Sequence, residues 1–270
     1  MSILDKPPRF RNVLITGASS GIGMAVAIRL AELGAEHIYF CGRDPNRVLE
    51  TRQKLSSISQ WQGMGHPKVL DVCDREAVRE WILACDEATP LDLVWANAGV
   101  STGGREDDEE AVRAVFDCNL IGVLNTIYPA IERYRMKDLS RVARRIAITS
   151  SLTGYHGMPQ CPSYSASKAA VKALGAALRG RLKREGISVT TFCPGFVRSR
   201  ITDQNTCPMP FFQEAEDAAR LMCRGILQGK GLVSFPWQMR FGMWLLAAMP
   251  EFLSEKLFSA LPEKTGEKPS

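Results

Sequence analysis

Three side chains near the middle of the chain are of types that move protons. Tyr164 and Lys168 are four residues apart in a small-residue stretch typical of a helix start, so both lie on one helical face. A free tyrosine titrates near ~10, and a neighbouring ammonium is expected to lower that pKa by favouring the phenolate. Ser151 stands thirteen residues before Tyr164, at the end of a strand-like apolar run. These residues predict an acid–base site, and the elements around them must bring them together.

A glycine-rich turn near the N-terminus predicts a phosphate-binding element. The apolar run from Asn12 to Thr16 suits a buried parallel strand, and a helix-forming run follows at 24–33. Between them, Gly17, Gly21 and Gly23 would let the backbone approach a pyrophosphate, while the helix N-terminus supplies N–H donors. The spacing is T-G-x-x-x-G-x-G rather than the commoner G-x-G-x-x-G. Taken alone, the motif leaves an ordinary glycine turn open as the alternative.

With further motifs, the chain resembles the short-chain dehydrogenase/reductase family. The marks follow the family's order and spacing over about residues 10–235, and as a set they are specific for the family but not for a substrate. They are Thr16-Gly17-x-x-x-Gly21-x-Gly23, Asp71-Val72, Asn97-Ala98-Gly99, Asn119, Ser151, Tyr164 with Lys168, and Pro194-Gly195. The resemblance implies a single NAD(P)-binding Rossmann-type domain over residues 1–270, with an apolar C-terminal extension at 236–262.

Strand and helix signals alternate along the chain, which predicts an α/β fold with a doubly wound parallel sheet. The predicted strands are Val13–Thr16, His37–Cys41, Lys68–Leu70, Leu91–Trp95, Arg145–Ser150, Ser188–Phe192 and Leu232–Phe235. The predicted helices are Gly23–Leu33, Asn46–Ile58, Arg75–Ala88, Asp108–Arg135, Ser163–Glu185 and Glu214–Gln228. The resemblance adds the strand order 3-2-1-4-5-6-7.

The end of the second predicted strand favours NADP(H) as cofactor. Sites that select NAD usually place an acidic side chain there, to hold the ribose 2′-hydroxyl, whereas this chain has Gly42 followed by Arg43. A guanidinium can hold a 2′-phosphate through charge-assisted hydrogen bonds, and the Ser19 hydroxyl can join it. Similar family members with this Gly-Arg pair prefer NADPH. NAD(H) stays open as the alternative, because Asp44 could compete for Arg43.

The resemblance places the other cofactor contacts at the ends of successive strands. Asp71 and Val72 match residues that hold the adenine, and Pro194 and Gly195 match residues that flank the nicotinamide. Ser199 stands where the family often has threonine. The predicted cofactor-binding residues are Gly17, Ser19, Ser20, Gly21, Ile22, Gly23, Arg43, Asp71, Val72, Asn97, Ala98, Gly99, Tyr164, Lys168, Pro194, Gly195, Val197 and Ser199.

The resemblance also assigns roles to the predicted catalytic residues Asn119, Ser151, Tyr164 and Lys168. Tyr164 is expected to be the general acid in carbonyl reduction or the base in alcohol oxidation, with Ser151 holding the substrate oxygen. Lys168 is expected to lower the Tyr164 pKa and to bind the nicotinamide ribose. The Asn119 backbone is expected to hold a water on that lysine. Hydride transfer between NADP(H) and a ketone or secondary alcohol is the predicted function.

The substrate region is the least specified part of the sequence. A lid is expected at residues 200–212, and an apolar lining favours an apolar carbonyl or alcohol over a sugar. The predicted substrate-binding residues are Ser151, Tyr155, Met158, Gln160 and Phe196.

The C-terminal segments 236–250 and 252–261 are rich in Trp, Met and Leu. Core or oligomer packing is the favoured interpretation, and weak peripheral membrane contact is the alternative. The resemblance further implies a homodimer or homotetramer, built through helices around 119–135 and 163–185.

Composition and residue spacing argue against nucleic-acid-binding, secreted, membrane-spanning and metal-binding proteins. The chain has 270 residues, 45% of them hydrophobic and 23% charged, with a net charge of +5 that is scattered, so no nucleic-acid stripe is evident. Eight cysteines without a C-x-x-C pair and an N-terminus without a secretory signal favour a reducing, cytoplasmic location. No run approaches the expected length of a membrane span, and three histidines without ligand spacing predict no metal site.

Two other functions compete with the predicted one. The first is a non-catalytic dinucleotide-sensing protein of the same fold, against which the intact proton-transfer set argues. The second is an extended-type sugar epimerase or dehydratase, which usually has a different glycine spacing and a longer substrate domain.

Overall fold

One seven-stranded, fully parallel sheet forms the centre of the protein, in the order β3-β2-β1-β4-β5-β6-β7. The computed structural model describes residues 10–103, 105, 108–136, 144–203 and 208–259. Both the predicted fold class and the predicted strand order are confirmed. The strands are β1 Asn12–Ile15, β2 His37–Gly42, β3 Met64–Val69, β4 Leu93–Ala96, β5 Arg144–Thr149, β6 Ile187–Pro194 and β7 Leu232–Phe235.

Helices cover both faces of the sheet. They are α1 Gly21–Glu32, α2 Pro45–Ser56, α3 Arg75–Ala88, α4 Glu109–Phe116, α5 Gly122–Met136, α6 Pro162–Leu182, α7 Arg200–Asp203, α8 Ala215–Leu227, α9 Trp237–Ala248 and α10 Glu251–Ser259. Apolar side chains of α1, α2 and α8 pack on one face, and those of α3, α5 and α6 on the other. The two buried clusters hold the strand ends in place, so that the loops following the strands share one edge.

Helices α7, α9 and α10 were not among the predicted helices, and two of the predicted elements differ from their predictions. β3 begins at Met64, four residues before the predicted start. The prediction began too late because Gly65 and Pro67 are residue types typical of turns. β3 pairs only with β2 and forms the sheet edge, where a proline is tolerated because no second neighbour needs its N–H. The long helix predicted at 108–135 is interrupted by a π-helical turn, Asp117–Ile121, between α4 and α5.

The helical stretch Glu109–Met136 is also long and apolar enough, by length and composition, to cross a membrane. The expectation that no segment reaches that length is therefore wrong on this measure. Of its most apolar window, 61% is buried inside the protein, as in the core helix of a soluble protein.

Candidate active site

A cleft of about 670 Å³ opens at the edge where the strands end. Every residue predicted to bind the cofactor lines this cleft, and so does Ser151. The predicted catalytic residue Asn119 does not line the cleft. Neither do the remaining predicted substrate residues, which are Tyr155, Met158, Gln160 and Phe196. The cleft therefore brings the glycine turn, Arg43 and the proton-transfer residues into one continuous space.

The glycine turn is packed so tightly against neighbouring backbone that Gly17 and Gly23 leave no space for a side chain. Gly17 has a φ of +65°, and a Cβ there would stand 2.5 Å from the Cα of Ala98. A Cβ on Gly23 would overlap the backbone carbonyl oxygen of Gly17 and the side-chain nitrogen Nδ2 of Asn97. The turn leaves bare backbone and the N-terminus of α1 facing the cleft, a cradle that fits a pyrophosphate.

A buried hydrogen-bond chain holds this turn against the neighbouring strands. Trp95 Nε1 donates to Thr149 Oγ1 at 3.0 Å, and Thr149 Oγ1 donates to Asn97 Oδ1 at 3.1 Å. Asn97 Nδ2 then donates to the carbonyl oxygens of Thr16 and Gly17, at 3.3 and 3.1 Å. The Asn97 side chain is thus fully used in supporting the turn, a role that the sequence did not reveal.

The far end of the cleft is basic. A Cβ on Gly42 would stand 2.5 Å from the Cβ of Ser19, so Ser19 occupies the space that an acidic side chain would need. Arg43 lines the cleft and lies 3.8 Å from the Asp71 carboxylate. Gly42 and Arg43 therefore leave this end without an acidic group at the position that selects NAD.

Asp44 does not compete for Arg43. It is the N-cap of α2, where its carboxylate accepts from the Arg47 backbone N–H at 3.2 Å and from Arg47 Nε at 2.8 Å. Arg47 also lines the cleft and was missed by the sequence analysis. Asp44 followed by Pro45 at the first helical position was the available signal, because it predicts a helix start that turns Arg47 back toward its cap.

The two adjacent serines at the end of β5 have separate tasks. Ser150 Oγ donates to the carbonyl oxygen of Lys168 at 2.7 Å and so ties β5 to α6. Ser151 Oγ accepts from the N–H and the hydroxyl of Thr153, at 3.2 and 3.0 Å, which leaves its own proton free to be donated. Thr153 thereby orients the Ser151 hydroxyl toward the Tyr164 phenol, a role for Thr153 that no motif in the sequence indicates.

Burial dominates the electrostatics of Tyr164. It raises the pKa of Tyr164 to about 12, Cys161 adds to the rise, and the hydrogen bond from Ser151 partly offsets it. Lys168 Nζ lies 5.6 Å from the centre of the phenol ring, and the pKa of Tyr164 is nevertheless raised, whereas the sequence predicted that it would be lowered. Tyr164 therefore rests in its neutral form, which is the form that can donate a proton.

Lys168 is a buried ammonium in a largely neutral setting. Its Nζ donates to the carbonyl oxygen of Thr149 at 3.0 Å, and only 2% of the residue is exposed. Burial lowers the pKa of Lys168 to about 8. The group can therefore exchange a proton near neutral pH.

Asn119 lies behind the cleft, within the π-helical turn, and ties three elements together. Its Oδ1 accepts from the N–H of Val100 at 2.8 Å, while its Nδ2 donates to the carbonyl oxygen of Val100 and to Ser167 Oγ. Ser167 lies next to Lys168 in α6, so Asn119 positions the helix that carries the lysine. Its predicted water-holding backbone role stays a prediction.

The predicted substrate residues are placed around the cleft rather than in it. The Tyr155 hydroxyl is 2.8 Å from Ser234 Oγ, and Lys172 Nζ stands 3.9 Å from its ring centre, so Tyr155 faces β7. The Met158 N–H donates to Ser165 Oγ. Residues 204–207 of the expected lid lie outside the described part of the chain. Within that part, no three His, Cys, Asp or Glu side chains are grouped to hold a metal ion.

Comparison with known proteins supports the geometry. The family model described as short chain dehydrogenase matches residues 11–208. An uncharacterised oxidoreductase of Myxococcus xanthus is 38% identical over 245 residues, which are 89% of this chain and 93% of that protein. The chain belongs to the short-chain dehydrogenase family and is, by that membership, an oxidoreductase with a fold that binds a nicotinamide dinucleotide.

Two solved structures carry different cofactors. A short chain dehydrogenase from Mycobacterium paratuberculosis bound to NAD is 25% identical, with a TM-score of 0.71 over 84% of this chain and 97% of that one. A short-chain dehydrogenase from Sphingobium yanoikuyae in complex with NADPH is 21% identical, with a TM-score of 0.74 over 95% and 98% of the two chains. The second likeness shows the fold alone, so the choice of cofactor must be argued from this chain's own residues.

Proposed function

We propose that this protein is an NADP(H)-dependent oxidoreductase that transfers a hydride between the nicotinamide and a ketone or secondary alcohol. The observation that carries the proposal is the arrangement of Ser151, Tyr164 and Lys168 at one end of the dinucleotide cradle, inside a single cleft. The cradle fits the cofactor because Gly17 and Gly23 leave no room for anything but backbone beside the pyrophosphate position. When bound, NADP(H) supplies or accepts the hydride.

The chain's own residues handle the proton and the developing charge. In the reducing direction, the Ser151 hydroxyl donates a hydrogen bond to the substrate oxygen, and neutral Tyr164 gives that oxygen its proton. The raised pKa of Tyr164 keeps the proton available until the substrate oxygen becomes basic. Lys168, whose pKa is lowered to about 8, stabilises the resulting phenolate and returns a proton toward it.

The preference for NADP(H) rests on the basic end of the cleft. Arg43 and Arg47 both line it, and Ser19 fills the space where an NAD-selecting carboxylate would stand. Two guanidinium groups beside a hydroxyl match a 2′-phosphate in charge and in hydrogen-bond donors. Asp71 lies 3.8 Å from Arg43, and Asp44 accepts from Arg47 Nε at 2.8 Å, so each guanidinium is paired with one carboxylate and keeps further N–H donors for a phosphate.

The experiment is NADPH consumption against a panel of ketones graded by chain length and ring size, with Tyr164→Phe as the variant. The variant removes only the acidic hydroxyl, so we expect turnover to fall by about 10³-fold while the Kd for NADPH stays within twofold, as general acid catalysis contributes about 10²–10⁴-fold. Thr202→Ser, which changes another cleft residue without touching the proton path, is the control. Undiminished turnover in Tyr164→Phe would refute the assignment, and NADPH binding without any turnover would favour the dinucleotide sensor.

A further inference from the structure

Helix α9 has apolar side chains on two opposite faces. With 3.6 residues per turn, Met239, Met243 and Leu246 form one stripe, and these three are half-buried or buried against the protein. Trp237, Phe241 and Trp244 form a second stripe on the opposite side and are 72%, 58% and 56% exposed. A surface helix normally turns polar residues outward, so the second stripe calls for a partner outside the described part of this chain.

Helix α10 also exposes apolar side chains. Phe252 is 69% exposed, and Leu253 and Leu257 are 42% and 49% exposed. At about 100° per residue, Leu253 and Leu257 share one side of α10, whereas Phe252 lies about 60° from Glu255 and about 100° from Leu253. An acidic side chain therefore borders Phe252, and we define the combined face as Trp237, Phe241, Trp244 and Leu245 of α9 with Leu253 and Leu257 of α10.

We propose that this face docks on the surface of a phospholipid bilayer. Tryptophan and phenylalanine on one side of a short helix are suited to the boundary between headgroups and acyl chains. α9 contains no acidic residue, and its one charged side chain, Arg240, is exposed beside the outward stripe, where it can reach a lipid phosphate. With 12 and 9 residues, α9 and α10 are too short to span the bilayer, so they lie along it.

The inner stripe of α9 connects the docking face to the cleft. A Cβ added at Gly195, which lines the cleft, would stand 2.9 Å from Met239 Sδ and 3.4 Å from the Leu152 side chain. α9 also packs against the 3₁₀ turn Leu152–Tyr155, which directly follows Ser151. A docked bilayer would therefore lie one helix diameter, about 10 Å, from Gly195 and Leu152, at the edge of the cleft. This places an apolar phase next to the site to which the proposed function assigns an apolar substrate.

The test is flotation of the full-length protein with vesicles of phosphatidylcholine alone and of phosphatidylcholine with 30% phosphatidylserine. We expect the wild type to float with both and more strongly with the anionic vesicles, because of Arg240. The triple variant Trp237→Gln, Phe241→Ser, Trp244→Gln should lose at least about tenfold in partition coefficient, since burial of each aromatic ring contributes favourably. Quenching of tryptophan fluorescence by brominated phosphatidylcholine should accompany wild-type binding.

A matched triple variant removes exposed apolar side chains elsewhere: Leu49→Ser, Met64→Ser, Leu221→Ser. It should float as the wild type does, and unchanged far-UV circular dichroism and urea-unfolding midpoints in both triple variants show that they are folded. No flotation of the wild type, or equal flotation of the two triple variants, overturns the proposal. A third outcome also overturns it: the wild type forms a dimer in sedimentation velocity and does not bind vesicles, and only the triple variant of α9 abolishes the dimer. The face would then bind a second copy of the chain. None of these measurements requires turnover, so the result is independent of the proposed function.

Discussion

The two ends of the cleft are built from different kinds of contact. At the cofactor end, backbone meets backbone: a Cβ on Gly23 would overlap the Gly17 carbonyl, and one on Gly17 would stand 2.5 Å from the Ala98 Cα. At the other end, where Gly195 is expected to flank the nicotinamide, the three atoms nearest an added Cβ all belong to side chains: Met239 Sδ at 2.9 Å, the Pro236 ring at 3.0 Å and Leu152 at 3.4 Å. Backbone in a packed turn cannot move aside, whereas a thioether can adopt another rotamer. The first end should therefore be intolerant of change and the second adaptable.

The largest expected effect tests the rigid end. Gly23→Ala would force a methyl group into the Gly17 carbonyl and the Asn97 amide, so the turn must distort. We expect the Kd for NADPH to rise by about 100-fold, measured by titration calorimetry, since overpacking costs about 1–3 kcal/mol and 100-fold corresponds to about 2.7 kcal/mol. The control is Gly180→Ala in α6, where nothing lies within 4 Å of the added Cβ. Its binding should be unchanged, and its free energy of unfolding should rise by about 0.5–1 kcal/mol. Normal NADPH binding by Gly23→Ala would contradict the rigid-turn account.

A smaller effect is expected where side chains rather than backbone form the cofactor end. Arg43→Ala should raise the Kd for NADPH about tenfold and leave the Kd for NADH within twofold, because a charge-assisted hydrogen bond is worth about 1.5–3 kcal/mol. Arg47→Ala should show the same selectivity with a smaller rise, since Asp44 already binds that guanidinium. Arg75→Ala, an exposed arginine next to Glu76, is the control. Equal weakening of both cofactors in Arg43→Ala would exclude a 2′-phosphate contact.

Lys168 stands between the two ends, and its burial has a cost for stability. Its pKa is about 8 in the folded protein against 10.5 for the free side chain, so between these values the unfolded chain binds more protons and folding stability rises with pH. Below pH 8 the cost of burying the ammonium is fully present, at about 3 kcal/mol for a shift of this size.

Lys168→Met should therefore be more stable than the wild type at pH 7 although it loses turnover. We expect a gain of about 1 kcal/mol in the free energy of unfolding, because the loss of the hydrogen bond to the Thr149 carbonyl offsets part of the benefit. Urea denaturation at pH 7 and pH 10 measures the free energy of unfolding of both proteins. The difference between them should shrink at pH 10, where the wild-type lysine is largely neutral in the folded protein. A variant that is less stable at pH 7 would show that the lysine is stabilising.

The same contrast explains what the sequence could predict. Gly17, Gly23, Tyr164 and Lys168 were identified because backbone approach and helical spacing allow few residue types at fixed intervals. The parallel sheet followed from the alternation of strand and helix signals, and its strand order, taken from the family, is confirmed.

The features that were missed depend on contacts between distant elements. Thr153 acts through its hydrogen bond to Ser151, which no sequence spacing indicates. Asn97 was predicted to bind the cofactor, but its role in supporting the glycine turn depends on Thr149 and Trp95, which are distant in the sequence. The π-helical turn around Asn119 has the composition of an ordinary helix, so the sequence does not distinguish it from one. The contacts of Asn119 with Val100 and Ser167 are visible only in the structure. Burial of Tyr164 likewise outweighs the lysine effect that spacing alone suggested.

The smallest expected effect tests the adaptable end. Gly195→Ala would bring its methyl group against Met239 Sδ, which can turn away, and against Pro236 Cδ at 3.0 Å, which cannot. We expect the KM for a bulky ketone to rise about threefold, with the Kd for NADPH within twofold, because a displaced side chain costs about 0.5–1.5 kcal/mol. Adding Met239→Ala should recover part of the loss, since it removes the thioether and leaves the close contact with the Pro236 ring. A loss as large as that of Gly23→Ala, or one that Met239→Ala does not relieve, would mean that Gly195 is held by backbone contacts too and that the two ends are equally rigid.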